Sequence, residues 1–159
     1  MIQINVMWVG LSFKNADDGG VIPPLDPSTN SGVLIEEIEN ECLGVKFHRT
    51  NLVKFAPIDS EGKLRYPTRF ECSEDFPKLL NEIKEINPKM IFLLGNNVHD
   101  FVLGQLGFKS LKVSYNFEVF NWNGRWIVPI YHPSYIMVYK RGEKDLYVQS
   151  VKDVISRFL

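Results

Sequence analysis

The sequence predicts a single three-layer αβα domain, residues 1–159, built around a central, mostly parallel four-stranded sheet. Short apolar runs rich in β-branched residues alternate with amphipathic stretches, which is the pattern of parallel strands joined by crossover helices. Segments rich in Gly, Pro, Asp, Ser and Asn separate them. A chain of 159 residues, 45% hydrophobic and 23% charged, has the composition of one ordinary globular domain.

The first half of the chain predicts a strand, a helix, a strand and a helix, in that order. Apolar and β-branched residues mark the strands, and apolar residues three to four positions apart mark the helices. The predicted segments are strand Ile2–Val9, loop 10–31, helix Gly32–Cys42, strand Val45–Phe55, loop 56–70, and a helix that ends at Ile86 with Ser73 as its N-cap.

The second half contains the clearest buried strand, KMIFLLG at residues 89–95, followed by a helix over NNVHDFVLGQL at 96–106. Residues 116–131 predict a β-hairpin, because Asn123-Gly124 is the preferred pair for a type I′ turn. A final helix is predicted over 143–158.

Charge and cysteine content exclude several classes of protein. The net charge is −1, so contact with nucleic acid has to come from local charge rather than from a global field. No apolar run approaches the ~20 residues of a membrane span. Cys42 and Cys72 lie far apart and form no CxxC, which leaves too few thiolates for a metal or iron–sulfur site. We therefore expect an intracellular, cytoplasmic protein with no membrane segment, metal cluster or other cofactor.

Small and polar residues follow the predicted parallel strands. In open parallel sheets, ligands bind beyond the carboxyl ends of the strands. The strand ends carry Gly10-Leu11-Ser12, Thr50-Asn51, Gly95-Asn96 and His132-Pro133-Ser134, which are therefore candidates for a ligand site. The alternatives to a ligand-binding role are that Asn51 satisfies loop backbone groups and that His132 is a surface turn residue.

Three of these segments, in this order and spacing, resemble the uracil-DNA glycosylase superfamily. They are VGLSFKNADDGGVIPPLDPSTNSG at 9–32, RTNLVKFAPIDSEGKLRYP at 49–67 and YHPSY at 131–135. The stretch INPKMIFLLGNNVHDFVLG at 86–104 is similar to that superfamily's third strand and following helix. The pattern is closest to its family 4 and 5 branch.

The resemblance implies a metal-independent, monofunctional DNA glycosylase. Such an enzyme hydrolyses the N-glycosidic bond of uracil, or of another deaminated base, and leaves an abasic site for base-excision repair. Its partner would be DNA with that base flipped out of the duplex. Two alternatives remain: a non-catalytic DNA- or nucleotide-binding member of the same fold, and a small-ligand domain unrelated to DNA. No GxGxxG follows the first strand, which disfavours a dinucleotide.

The resemblance also assigns roles to the strand ends. His132, held by Pro133, would donate a hydrogen bond to the anion that develops on the departing base. The side-chain amide of Asn51 would read both the N3–H donor and the O4 acceptor of uracil. The other substrate-binding candidates are Gly10, Leu11 and Ser12 in the first motif, and Leu25 as the stacking platform, with Phe13 as an alternative platform.

The first motif departs from the family pattern. Where superfamily members carry Asp, Asn or Glu to position water, residues 10–14 read GLSFK. Asp17, Asp18 and Asp26 are the nearest acids, and Asp18 and Asp26 are the catalytic candidates. The alternative is that they form turns beside glycine. The iron–sulfur cysteines of the branch are missing, since Phe55 follows Lys54 where the branch has a cysteine.

DNA contacts are predicted after the HPS motif. Ser134 and Tyr135, with Ile136 and Tyr139, would lie where the superfamily presses a loop into the minor groove. Lys140 and Arg141 would bind phosphates. The alternative is a tyrosine cluster packed under the final helix. Residues 44–70 carry six Lys or Arg against two acids, which is either a second basic surface or an ordinary solvated face.

Overall fold

The fold is a five-stranded sheet between two layers of helices, as seen in a computed structural model that describes residues 3–109 and 111–159. The predicted three-layer α/β class is confirmed, with one strand more than predicted; the predicted start at Ile2 lies outside the described residues. The strands are β1 Ile4–Ser12, β2 Lys14–Asn15, β3 Val21–Ile22, β4 Val45–Val53, β5 Met90–Leu94, β6 Phe120–Trp122 and β7 Arg125–Ile130.

Four parallel strands form the body of the sheet, in the order β4-β1-β5-β7. The fifth strand, β6, pairs antiparallel with β7 at the edge. Asn123 and Gly124 join β6 to β7 with φ values of 51° and 81°. These positive values are those of a type I′ turn, so the predicted hairpin is confirmed. Strands β2 and β3 form a separate small hairpin beside the sheet.

Alternating side chains of the strands build one core on each face of the sheet. In β1, Val6 and Trp8 face the first core, whereas Met7 and Val9 face the second. The helices are α1 Asn30–Asn40, α2 Arg69–Ile86, α3 Asn96–Leu106, α4 Pro133–Tyr139 and α5 Lys144–Phe158. Helices α1, α4 and α5 cover the first face, and α2 and α3 cover the second.

Several predicted boundaries were wrong by one or two residues, and two were wrong by more. Helix α2 begins at Arg69, because Thr68 is its N-cap and forms a capping box with Glu71; Ser73 lies inside the helix. Strand β1 continues through Ser12, because Gly10 and Ser12 stand in parallel register with Asn51 and Val53. The first motif is therefore partly a strand rather than entirely a loop.

The segment after His132 is a helix rather than a loop. His132 is the N-cap of α4 and Pro133 is its first residue, a position where the missing N–H of proline costs nothing. Ile136 is fully buried in the first core, so it does not contribute to an exposed wedge. Within residues 3–109 and 111–159, no helix is both long and apolar enough to cross a membrane.

Candidate active site

A cleft of about 800 Å³ opens at the carboxyl ends of β1, β5 and β7. Eight of the twelve predicted site residues line it: Gly10, Leu11, Ser12, Leu25, Asn51, His132, Ser134 and Tyr135. The fold therefore brings the first motif, the end of β4 and the HPS segment to one place. Asp18, Asp26, Lys140 and Arg141 are not among the lining residues.

His132 is held in one orientation by the helix that it caps. Its Nδ1 accepts a hydrogen bond from the backbone N–H of Ser134 at 3.1 Å and lies 2.7 Å from the Ser134 hydroxyl. A neutral imidazole that accepts at Nδ1 carries its proton on Nε2. The ring is therefore a hydrogen-bond donor through Nε2.

Burial keeps this imidazole neutral. Desolvation, and then the positive charge of Lys14, lower the pKa of His132 to about 4. The close packing comes from Gly95, whose φ is +87°, since a Cβ there would lie only 3.1 Å from the His132 Cβ. The side chain thus combines two properties: it is uncharged at neutral pH and it has a fixed donor.

Asn51 lies at the bottom of the cleft with only 4% of its surface exposed. Its backbone carbonyl accepts from Lys54 Nζ, and Lys54 pairs with Glu82. These bonds fix the end of β4 from which the Asn51 side chain projects. Because Asn51 is buried and lines the cleft, its side-chain amide is a candidate group for recognising a polar ligand there.

Gly10 and Leu25 meet Asn51 at one point. A Cβ at position 10 would lie 2.6 Å from the Asn51 Oδ1 and 3.8 Å from the Leu25 Cδ2. Leu25 has a φ of +52°, which is uncommon for a leucine, and Arg49 holds its carbonyl at 2.8 Å. Arg49 is also paired with Glu39. The three predicted substrate-binding residues therefore surround one small space, and Phe13 is not among the lining residues.

The family model of the uracil DNA glycosylase superfamily matches residues 19–155. The chain belongs to the uracil DNA glycosylase superfamily. The crystal structure of wild-type SMUG2 from Pedobacter heparinus is similar in fold, with a TM-score of 0.62 and 19% sequence identity, over 98% of this chain and 76% of that one. No curated protein matches the chain in sequence.

Membership confirms the predicted resemblance and gives the chain a glycosylase-like function in general terms, because members of the superfamily are typically DNA glycosylases, which are hydrolases of DNA repair. The match begins at residue 19, so Gly10, Leu11, Ser12 and Asp18 precede it. Residues 10–14 of the unusual first motif therefore lie outside the match.

Two of the predicted catalytic residues, Asp18 and Asp26, are engaged in turns. Asp18 accepts from the backbone N–H of Gly20 at 2.9 Å in the turn between β2 and β3. Asp26 accepts from the backbone N–H and the hydroxyl of Ser28, and these bonds lower the pKa of its carboxyl. Asp26 lines a second, shallower pocket together with Glu39 and Arg49. Neither carboxylate lines the cleft that contains His132.

Cations carry the charge of the cleft. Among the described residues that line it, Lys14 and Arg65 are charged and no aspartate or glutamate is present. Neither was predicted as a site residue from the sequence. Lys14 could have been predicted, because it lies in the first motif two residues after Ser12.

Most of the basic residues at 44–70 have acidic partners, which favours the interpretation of an ordinary solvated surface. Within the described chain the pairs are Arg49 with Glu39, Lys54 with Glu82, Lys63 with Glu61 and Arg65 with Glu71. Lys140 and Arg141 are exposed at the end of α4, and Arg141 Nε donates to the Met137 carbonyl at 3.2 Å.

The tyrosine cluster considered from the sequence is present and also reaches the cleft. Tyr115, Tyr131, Tyr135 and Tyr139 form a row with ring centroids 5.3, 5.6 and 6.0 Å apart. The hydroxyl of Tyr131 donates to the Val113 carbonyl at 2.7 Å. One end of the row is therefore fixed in the fold, while Tyr135 and Tyr139 line the cleft.

Proposed function

We propose that this chain is a DNA glycosylase that removes uracil, or another deaminated base, by stabilising the departing base as an anion. The observation that carries the proposal is the fixed Nε2–H tautomer of His132, a neutral donor in the same cleft as the buried Asn51. A preorganised donor aimed at developing negative charge is commonly the largest single contribution to catalysis.

Asn51 selects the base. Its amide oxygen accepts from N3–H of uracil, and its amide nitrogen donates to O4. Cytosine presents the reverse polarity along this edge, so it leaves both amide groups unsatisfied as long as Oδ1 keeps its position against Gly10 and the amide does not turn over. In a nearly fully buried site this mismatch is expensive, which supports discrimination by one side chain.

The charge of the cleft favours departure of the base. Cleavage of an N-glycosidic bond separates an oxocarbenium-like sugar from an anionic base, and the lining cation Lys14 favours the anion, whereas the charge of Arg65 is offset by Glu71. With no carboxylate among the described lining residues, stabilisation of the leaving group supplies the rate enhancement. Water then needs positioning rather than deprotonation, and Ser12 and Asn96 are hydrogen-bonding side chains in the same cleft.

The absence of a carboxylate from the described cleft lining favours one other function, a binding module that recognises deaminated DNA without cleaving it. A single assay distinguishes the glycosylase from the binding module. An end-labelled oligonucleotide with one uracil is incubated with excess protein, treated with alkali to cleave abasic sites, and compared with hypoxanthine, xanthine and thymine substrates. Cleavage at the uracil, with a preference over thymine, supports the glycosylase. Binding of the uracil oligonucleotide without cleavage of any base supports the binding module.

A further inference from the structure

Two separate segments place exposed aromatic and aliphatic side chains around the mouth of the cleft. The loop between β4 and α2 contributes Leu64 and Tyr66, which are 47% and 75% exposed. Helix α4 contributes Val138 and Tyr139, which are 56% and 75% exposed. Clustered exposed apolar side chains around a cleft indicate a binding surface rather than an ordinary solvated one.

The loop that carries Tyr66 is preorganised. The backbones of Asp59 and Lys63 bond at 2.8 Å, and the Arg65 N–H bonds the Pro57 carbonyl at 3.0 Å. The Arg65 guanidinium donates to both carboxylate oxygens of Glu71 and to the Tyr66 carbonyl. Bonds from Arg65 and from the backbone N–H of Thr68 lower the pKa of Glu71 to about 2. These bonds hold the backbone of Tyr66 in place, and its ring is exposed to solvent.

Charge argues against extensive contact with a duplex backbone. The net charge is −1, and Arg65 beside Tyr66 is already paired with Glu71. A protein that makes about 6–10 phosphate contacts on a duplex needs a comparable number of free cations. Stacking on aromatic rings adds affinity beyond the charge, and base faces are exposed to such rings in an unpaired strand, whereas pairing and stacking hide them in a duplex.

We propose that Tyr66 is a stacking platform for a base that neighbours the extruded one, and that single-stranded DNA is the preferred substrate. The second flanking base stacks on Tyr139 of α4, so the strand is bound on both sides of the cleft. This inference rests on the proposed function for the identity of the extruded base, but the stacking surface itself is tested by binding alone.

The test compares the affinity of uracil-containing 12-nucleotide DNA, as a single strand and as a duplex, by fluorescence anisotropy at fixed salt. Wild type is expected to bind the single strand more tightly. Tyr66→Ala is expected to weaken single-strand binding about tenfold, as for loss of one base–aromatic stack, and to leave duplex binding unchanged. Tyr66→Phe keeps the ring face and should bind like wild type. Phe70→Ala is the matched control, because Phe70 is 72% exposed but does not line the cleft.

The remaining outcomes of the binding and excision assays either overturn the inference or support it. If Tyr66→Ala binds the single strand as tightly as Phe70→Ala, or if wild type prefers the duplex, the inference is overturned. If neither form of DNA binds, it is also overturned, and the exposed rim belongs to a different partner. Loss of single-strand binding in Tyr66→Ala without base excision by wild type supports the inference and refutes the glycosylase. If wild type and Tyr66→Ala excise the base equally and bind the single strand equally, the glycosylase is supported and the inference is refuted.

Discussion

The neutral state of His132 makes a quantitative prediction about pH. The fold lowers the pKa of this side chain from an ordinary 6.5 to about 4. Protonation at Nδ1 would also replace its bond from the Ser134 N–H with two opposed donors, so the cap itself resists protonation. At pH 5 only about a tenth of the folded protein would carry a charged His132, against nearly all of it at the ordinary pKa.

The lowered pKa of His132 also fixes the direction in which the free energy of unfolding changes with pH. The unfolded chain binds a proton at His132 near pH 6.5, whereas the folded chain does so near pH 4. Between these values the unfolded state holds more protons, so the free energy of unfolding falls as the pH falls through this window. Above pH 6.5 the imidazole is neutral in both states and contributes nothing to the pH dependence.

The assay is a histidine titration by NMR, with the His132 signals assigned from their loss in His132→Asn. Asparagine is the matched replacement, because its side-chain oxygen accepts from the Ser134 N–H and keeps the N-cap. The expected midpoint is near pH 4, with nitrogen shifts of the Nε2–H tautomer at neutral pH. A midpoint near pH 6.5, or the Nδ1–H tautomer, refutes the fixed neutral donor.

Three further changes test the pocket and its rim. Asn51→Asp should reduce the preference for uracil over cytosine at least tenfold, because a carboxylate cannot donate to O4 and a missing bond in a buried site costs about 1–3 kcal/mol; unchanged selectivity would exclude Asn51 as the reader. Gly10→Ala places a Cβ 2.6 Å from the Asn51 Oδ1, so the amide must move, and excision should fall about 100-fold with an unchanged circular dichroism spectrum; wild-type rates would show that the amide is not used. Replacing Lys140 and Arg141 with alanine should flatten the log–log salt dependence of single-strand affinity by about 0.7 for each lost phosphate contact; an identical slope would place the phosphates elsewhere.

Periodicity predicted most of the fold, and the errors have separate physical causes. Gly10 and Ser12 have little strand propensity, but pairing with β4 overrides it, which no local pattern reveals. The start of α2 was visible as Thr68 followed three residues later by Glu71, and the weaker Ser73 was chosen instead. Helix α4 was missed because four of its seven residues, PSYIMVY, are aromatic or β-branched and Met137 is its one strong helix former.

The strand ends made part of the cleft lining predictable from the sequence, and the resemblance to the superfamily added Leu25, Ser134 and Tyr135. His132, Asn51 and Gly10 follow or end parallel strands, so the topology alone brings them together. Tyr66 reaches the cleft from a loop whose path depends on the pairing of Arg65 with Glu71, which sequence spacing does not specify. Acidity was the misleading signal for Asp18 and Asp26, since short-range bonds to Gly20 and Ser28 satisfy both carboxylates.

The measurement that tests the central claim most directly is single-turnover excision of uracil from single-stranded DNA by wild type, His132→Ala and His132→Asn. Loss of one preorganised donor to a developing anion typically costs about 10²–10³ in rate. Both variants should therefore be slower by that factor and should bind abasic product DNA as wild type does, with the asparagine variant keeping the thermal stability that the helix cap provides. Excision by either variant at the wild-type rate would contradict the account and leave His132 as a capping residue only.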